Sequence, residues 1–208
     1  APLTLTLLDV DELRAEAEAM GAGVRFVSAE AVETDWGQGY IALFEFDDEV
    51  YVDTSGIVFD QSFLDLVAPV AANALGFERP DVVLTAATDG ITLGAAMAGY
   101  FDARVAYAKK SKETAVEDFI ESRQRLASGI ELTYYLPGRA ISRGENVLIV
   151  DDLIRSGETQ ELLLDIAKQA NADVTGVFAL ISVGEEGIDR ARELTDAPVG
   201  ALSTFDAE

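Results

Sequence analysis

Two adjacent carboxylates, Asp151 and Asp152, stand at the end of an aliphatic run, Val147-Leu148-Ile149-Val150, and ahead of a short turn, Arg155-Ser156-Gly157-Glu158-Thr159. Such a run reads as a buried parallel strand, and open α/β sheets place ligands at the carboxyl ends of their strands. A helical pattern follows from Thr159 to Ala170. The turn therefore leads into a helix N-terminus, whose free N–H groups and partial positive charge suit a phosphate. Vicinal acids beside a phosphate cradle fit a sugar phosphate, with carboxylates for ribose hydroxyls and amides for the phosphate. The plainer alternative is an ordinary strand–turn–helix with two solvated acids.

Three other segments carry candidate chemistry. Leu84-Thr85-Ala86-Ala87-Thr88-Asp89-Gly90 is a strand followed by a small-residue turn into a helix. The amides of Ala87, Thr88, Asp89 and Gly90 are candidates for an anion nest; a tight βα turn without a ligand is the alternative. Lys109, Lys110 and Lys112 are three of only four lysines in the chain, the other being Lys168, and they cluster after a predicted strand. A polar, weakly periodic stretch from Lys109 to about Gly129 reads as a long loop. It carries Ser122-Arg123-Gln124-Arg125, with a solvated charged loop as the alternative to a functional one.

The elements that must position these groups follow from periodicity. Asp9 with Glu12 reads as a capping box and Gly21 as a C-cap, so residues 10–20 are expected to be a helix. Short antiparallel strands are expected at Val24–Val27, Tyr40–Phe46 and Val50–Val52. A helix over about 61–76 follows, capped by Asp60, with Pro69 as a possible kink point. The rest alternates as βα units: strands at Val82–Thr85, Val105–Ala108, Ile130–Leu136, Val147–Val150, Val174–Ser182 and Val199–Ser203, and helices at Ile91–Phe101, after the acid pair, and at Glu185–Leu194. The expected organisation is an N-terminal appendage over 1–60 on an α/β core over 61–208.

Composition narrows the chemistry. The 208 residues are 49% hydrophobic, enough for one sizeable core, and contain no cysteine and no histidine. Disulfides, thiolate nucleophiles, Cys- or His-bound zinc and Ser-His-Asp catalysis are thereby excluded. No apolar run of 18 or more residues predicts a transmembrane helix, and no secretory signal is read at the N-terminus. The net charge of −23 is spread along the whole chain. Dispersed acids, scarce lysine and abundant Ala and Val look like a protein from a salt-accumulating halophile, in which salt screens acidic self-repulsion.

Taken with its neighbours, VLIVDDLIRSGET resembles the signature of the type I phosphoribosyltransferases, which bind phosphoribosyl pyrophosphate (PRPP). The resemblance extends over roughly residues 50–203. It implies an α/β fold with a mainly parallel twisted sheet flanked by helices and a small N-terminal hood of helix and short strands. It implies that Asp151 and Asp152 hold the ribose 2′- and 3′-hydroxyls or a metal-bound water. It gives Arg155, Ser156, Gly157, Glu158 and Thr159 to the 5′-phosphate, although Glu158 replaces the usual small residue. Ala87, Thr88, Asp89 and Gly90 fall on the pyrophosphate loop. Lys109 falls on the family's lysine, with Lys110 and Lys112 beside it; Ala108 replaces the arginine that often precedes that lysine. Arg123 and Arg125 fall on the mobile flap that closes over PRPP. Phe59 is the nearest aromatic for stacking on a base, with core packing as the alternative.

Leu84–Ala96 and Tyr107–Thr114 look similar to segments of the bacterial purine repressors and of xanthine and adenine phosphoribosyltransferases. The expected function is transfer of a phosphoribosyl group from PRPP to a purine base, with Mg²⁺, in a cytoplasmic homodimer. The base itself does not carry over, because Ile181–Glu185 lacks the lysine and aromatic of the xanthine enzymes. The alternative is a non-catalytic PRPP-binding regulator. No nucleic-acid binding is expected, since the first 78 residues contain only Arg14 and Arg25 as cations.

Overall fold

The computed structural model describes residues 24–34, 37–46, 49–53, 61–125 and 129–205. The expected helix over 10–20 and Phe59 lie outside the described residues. The chain divides into two compact units between Leu66 and Val67.

In the first unit, β1 (Val24–Thr34), β2 (Gly37–Phe46) and β3 (Glu49–Asp53) form an antiparallel sheet in the order β1-β2-β3. Pairing of β1 with β2 runs from Val24↔Phe46 to Thr34↔Gly37 and shifts register between Phe26 and Ser28. The first strand is therefore longer than the apolar run Val24–Val27 suggests. Helix α1 (Gln61–Leu75) carries Pro69 inside it and runs across the division between the units.

The second unit is built on β4 (Val82–Ala86), α2 (Gly90–Phe101), β5 (Arg104–Ala108), β6 (Phe119–Arg125), β7 (Glu131–Pro137), β8 (Asn146–Ile154), α3 (Glu158–Gln169), β9 (Asp173–Val183), α4 (Glu186–Leu194) and β10 (Val199–Phe205). Five strands make a parallel sheet in the order β10-β9-β8-β4-β5. Its central strands carry aliphatic runs because both faces are covered: Val82, Leu84, Val147, Leu148, Ile149 and Val150 are completely buried. From β4 the chain moves outward to β5, then returns to the other side of β4 for β8. The order reverses between β4 and β8, and the crevice at such a reversal is where open sheets bind ligands. The turns that follow these two strands are the two candidate anion loops.

One expectation is corrected. The stretch 109–129 is not a continuous loop: Phe119–Arg125 forms β6, paired antiparallel with β7 from Phe119↔Pro137 to Arg125↔Glu131. Its periodicity is weak because Ser122 and Gln124, not aliphatics, take the buried and half-buried positions. Lys109 ties this hairpin to the end of β5 through its backbone, donating to and accepting from Tyr135 at 3.0 and 2.8 Å.

Candidate functional site

Strand β8 delivers the acid pair. Its hydrogen bonding continues through Asp151, which pairs with Ala179, so both acids belong to the strand rather than to the turn. Asp151 is only 6% exposed, and Asp152 is half-buried. Gln160, itself buried in the first turn of α3, donates to Asp151 Oδ2 at 2.7 Å, and the Asp152 amide donates to Oδ1 at 3.1 Å. Burial pushes the Asp151 carboxyl well above the usual carboxylate range. The neighbouring Asp152 charge and a hydrogen bond between the two carboxyls push the same way, against the two donors.

The loop after β4 meets this acid directly. A Cβ on Gly90, the first residue of α2, would lie 2.8 Å from Asp151 Oδ1 and 2.2 Å from Thr85 Oγ1. Only a glycine lets the start of α2 sit so close to the acid. Thr85 Oγ1 is buried without a partner in this same niche. The peptide between Ala87 and Thr88 is cis. The Ala87 amide is spent on Ala108 O at 2.8 Å, which extends the sheet, so the nest reduces to the amides of Thr88, Asp89 and Gly90. Asp89 is exposed at the helix start and makes no side-chain cap.

The loop after β8 turns on Gly157 at φ 75°, the left-handed region that favours glycine. Arg155 is exposed beside it. Ser156 donates its hydroxyl to Glu158 at 2.9 Å, so the Glu158 carboxylate turns toward the cradle rather than away from it. The Thr159 hydroxyl bonds that of Tyr134, on the hairpin. Burial, helped by Asp151 and Asp89, raises the Tyr134 phenol above its ordinary range, against the Thr159 bond. Both hydroxyls offered to a phosphate therefore already have protein partners.

The lysines do not form one patch. Lys109 pairs with Glu113, whose hydrogen bond raises the ammonium above its ordinary range, and its Nζ stands 5.0 Å from the Tyr107 ring. Lys112 is committed to the hairpin, 3.1 Å from Glu121 and 4.8 Å from the Tyr135 ring. Lys110 is exposed. Arg123 pairs with Glu121, and Arg125 is exposed at the end of β6. The structure thus brings together Asp151, Asp152, Gly90 and the loop 155–159. It leaves Lys112 and Arg123 engaged on the hairpin.

Gln160 and Tyr134 reach this constellation without having been singled out in the sequence. Tyr134 had a signal, the alternation Leu132, Tyr134, Leu136, but that marks burial and not chemistry. Gln160 had only its place one turn into a helix after the acid pair.

Residues 57–196 match the family model described as a phosphoribosyl transferase domain, and the chain belongs to that family. The chain is similar to the purine biosynthesis transcriptional repressor PurR of Bacillus subtilis, 30% identical over 140 residues, covering 67% of this chain and 48% of the repressor. It is also 30% identical over 131 residues to a xanthine phosphoribosyltransferase of Alkaliphilus metalliredigens, covering 62% of this chain and 65% of that one. The chain thus spans about half the length of the first of these relatives and just under two-thirds of the second. Among solved structures, an adenine phosphoribosyltransferase from Rhodothermus marinus superposes with a TM-score of 0.66 at 19% identity, covering 93% of this chain and 97% of that one. The fold is that of the phosphoribosyltransferases.

Proposed function

We propose that this chain transfers the 5-phosphoribosyl group of PRPP to a purine base, giving a nucleoside 5′-monophosphate and pyrophosphate. The observation that carries the reading is the meeting, at the reversal between β4 and β8, of an acid pair whose first member is buried with the two glycine-bearing loops that follow these strands. One loop suits the 5′-phosphate and the other the pyrophosphate. The acids between them suit the ribose hydroxyls.

In the reaction the bond from ribose C1 to the pyrophosphate oxygen breaks, a bond from a purine nitrogen to C1 forms, and the base gives up its N–H proton to the departing pyrophosphate or to solvent water. Positive charge develops on the ribose ring, as in other glycosyl transfers, and no protein nucleophile is needed. The chain contributes orientation. The amides of Thr88, Asp89 and Gly90, with Lys109 released from Glu113, meet the charge that grows on pyrophosphate. The β6–β7 hairpin, carrying Arg123 and Arg125, covers the site and limits hydrolysis of PRPP.

Among the described residues no group of three or more Asp or Glu could hold a metal ion. Mg²⁺ takes one or two carboxylates, keeps several waters and draws its other ligands from substrate phosphates. Asp151 and Asp152, directly or through water, would hold it with PRPP. When bound, it would neutralise charge on the pyrophosphate. We further propose a homodimer acting in the cytoplasm; no helix among the described residues is long and apolar enough to cross a membrane.

A second reading, a PRPP-binding regulator without turnover, is favoured by the similarity to the repressor. One assay separates the two: PRPP with adenine, hypoxanthine, guanine or xanthine, in molar KCl with Mg²⁺, followed by nucleotide formation. Nucleotide from any base supports the enzyme. PRPP binding without turnover of any base rejects it in favour of the regulator.

A further inference from the structure

We infer that Arg190 is a positioning residue for the 5′-phosphate loop, and that Glu161 and Gln124 extend its hold to the β6–β7 hairpin. The inference rests on the phosphate-loop reading above. It concerns residues outside the acid-pair signature.

Arg190 lies on α4, 34 residues beyond the loop it touches. Its guanidinium has two jobs. Nη1 donates to the Ser156 carbonyl at 3.3 Å, while Nε and Nη2 donate to Glu161 Oε2 at 2.9 and 2.5 Å. The same Glu161 oxygen accepts from Gln124 Nε2, on β6, at 3.0 Å. Glu161 is itself seated on the loop, its amide donating to Gly157 O at 2.9 Å. One carboxylate thus joins α3, α4 and the hairpin.

The fit is close as well as polar. A Cβ on Gly157 would lie 2.8 Å from Gly187 O and 3.2 Å from Arg190 Cδ, so the stem of the arginine lies against the left-handed residue of the loop. A Cβ on Gly187 would lie 2.4 Å from Arg155 O. The first turn of α4 is therefore in backbone contact with the loop.

The geometry explains what Arg190 does. The Ser156 carbonyl and the Gly157 N–H belong to one planar trans peptide and point in opposite directions. Drawing that carbonyl toward Arg190 turns the Gly157 N–H the other way, into the cradle. It also keeps a carbonyl dipole from facing the anion. Glu161 balances the guanidinium charge, so Arg190 acts by orientation and not as a direct phosphate ligand. Gln124 Oε1 is buried without a partner, which makes the hairpin joint the weaker end of this chain of contacts.

The test compares two ligands that use different loops. Ribose 5-phosphate needs the loop 155–159, and pyrophosphate needs the amides of Thr88, Asp89 and Gly90. Calorimetry of the full chain, with Mg²⁺ in molar KCl, is run on wild type, Arg190→Met and Arg190→Lys. The expected result for Arg190→Met is a loss of about tenfold or more in ribose 5-phosphate affinity, as for a charge-assisted hydrogen bond, with pyrophosphate affinity within twofold of wild type. Arg190→Lys restores part of the loss, because a single ammonium can meet Glu161 or Ser156 but not both in the same fork. Unchanged ribose 5-phosphate binding in Arg190→Met, or equal weakening of both ligands, overturns the inference. If Arg190→Met does not fold, Arg190→Lys decides: selective weakening of ribose 5-phosphate supports the positioning role, and no change rejects it. Wild type that binds pyrophosphate but neither ribose 5-phosphate nor PRPP would overturn the phosphate-loop reading itself, a result distinct from a silent Arg190 variant.

Discussion

Replacing Asp151 by Asn separates what the acid costs the fold from what it gives the site. Asp151 is 6% exposed and its carboxyl titrates well above the ordinary range, so the folded protein binds that proton more tightly than the unfolded chain does. Its contribution to stability is fully present below the ordinary carboxylate range. It is lost as pH rises through the elevated value, because the charge must then sit in a buried site beside Asp152. Asn is neutral at every pH and nearly isosteric. It can donate to Asp152 through Nδ2 and accept through Oδ1, and Gln160 can turn its amide to complement either end. Each tenfold tightening of the proton is worth about 1.4 kcal/mol, and about 1 kcal/mol moves Tm by roughly 2–4 °C in a chain of this size. Asp151→Asn should therefore melt above wild type at pH 8, by roughly 2–4 °C for each kcal/mol that the buried charge costs, with the gap closing toward pH 4. The same variant should bind PRPP at least tenfold more weakly, since a charged acceptor for a hydroxyl is worth about 1.5–3 kcal/mol. The assay is thermal melting against pH in molar KCl with chelator, paired with calorimetry of PRPP. A variant less stable than wild type at pH 8, or a gap that does not change with pH, would refute the reasoning about the buried charge. Unchanged PRPP affinity would refute the site.

Other outcomes follow from the same geometry. With a net charge of −23, the protein should gain stability steeply from dilute buffer to 1 M KCl, where the Debye length is about 3 Å; a Tm independent of KCl would contradict the halophilic reading. Glu158→Gln, which keeps an amide oxygen for the Ser156 hydroxyl but removes an anion from the cradle, should tighten ribose 5-phosphate about two- to fivefold while costing about 0.3–1 kcal/mol of stability at the start of α3. Calorimetry and melting together check both signs, and weaker binding would show that the carboxylate does not compete. If nucleotide forms, Lys109→Ala should lower kcat by about 10²–10³, more than it raises KM for PRPP. Steady-state kinetics beside Lys168→Ala, on the exposed end of α3, check this, and equal small effects would leave the lysine cluster a solvated loop.

The parts of the site that the sequence discloses are those that local physics dictates. Val82–Leu84 and Val147–Val150 must be covered on both faces, so the parallel core and the placement of the acids at a strand end can be read directly. The glycine and hydroxyls after the acid pair likewise announce a turn into a helix. The hairpin strand β6 is hidden because two of its inward positions are Ser122, which is buried, and Gln124, whose amide donates to Glu161. Ala87 is misread for a related reason: whether a turn amide faces a ligand or the adjacent strand depends on β5, 21 residues later.

Charge is the least legible property, because pairing is tertiary. Counted along the chain, Lys109 and Lys112 look like a cationic reserve for pyrophosphate, and Arg123 like part of a flap over the site. In the fold, Glu113 holds the first and Glu121 holds both of the others. The phosphate side repeats the pattern, with Glu158 on Ser156 and Glu161 on Arg190. In a chain with 38 acids and 15 bases, Lys109, Lys112, Arg123 and Arg190 each already have a carboxylate within reach. Binding a polyanion then becomes an exchange of one anion for another. Its strength depends less on how many cations the site contains than on which carboxylates can turn away. Glu113 and Glu158, at the edges of the site, can swing into solvent. Glu161 cannot do so without releasing the loop that it and Arg190 hold together.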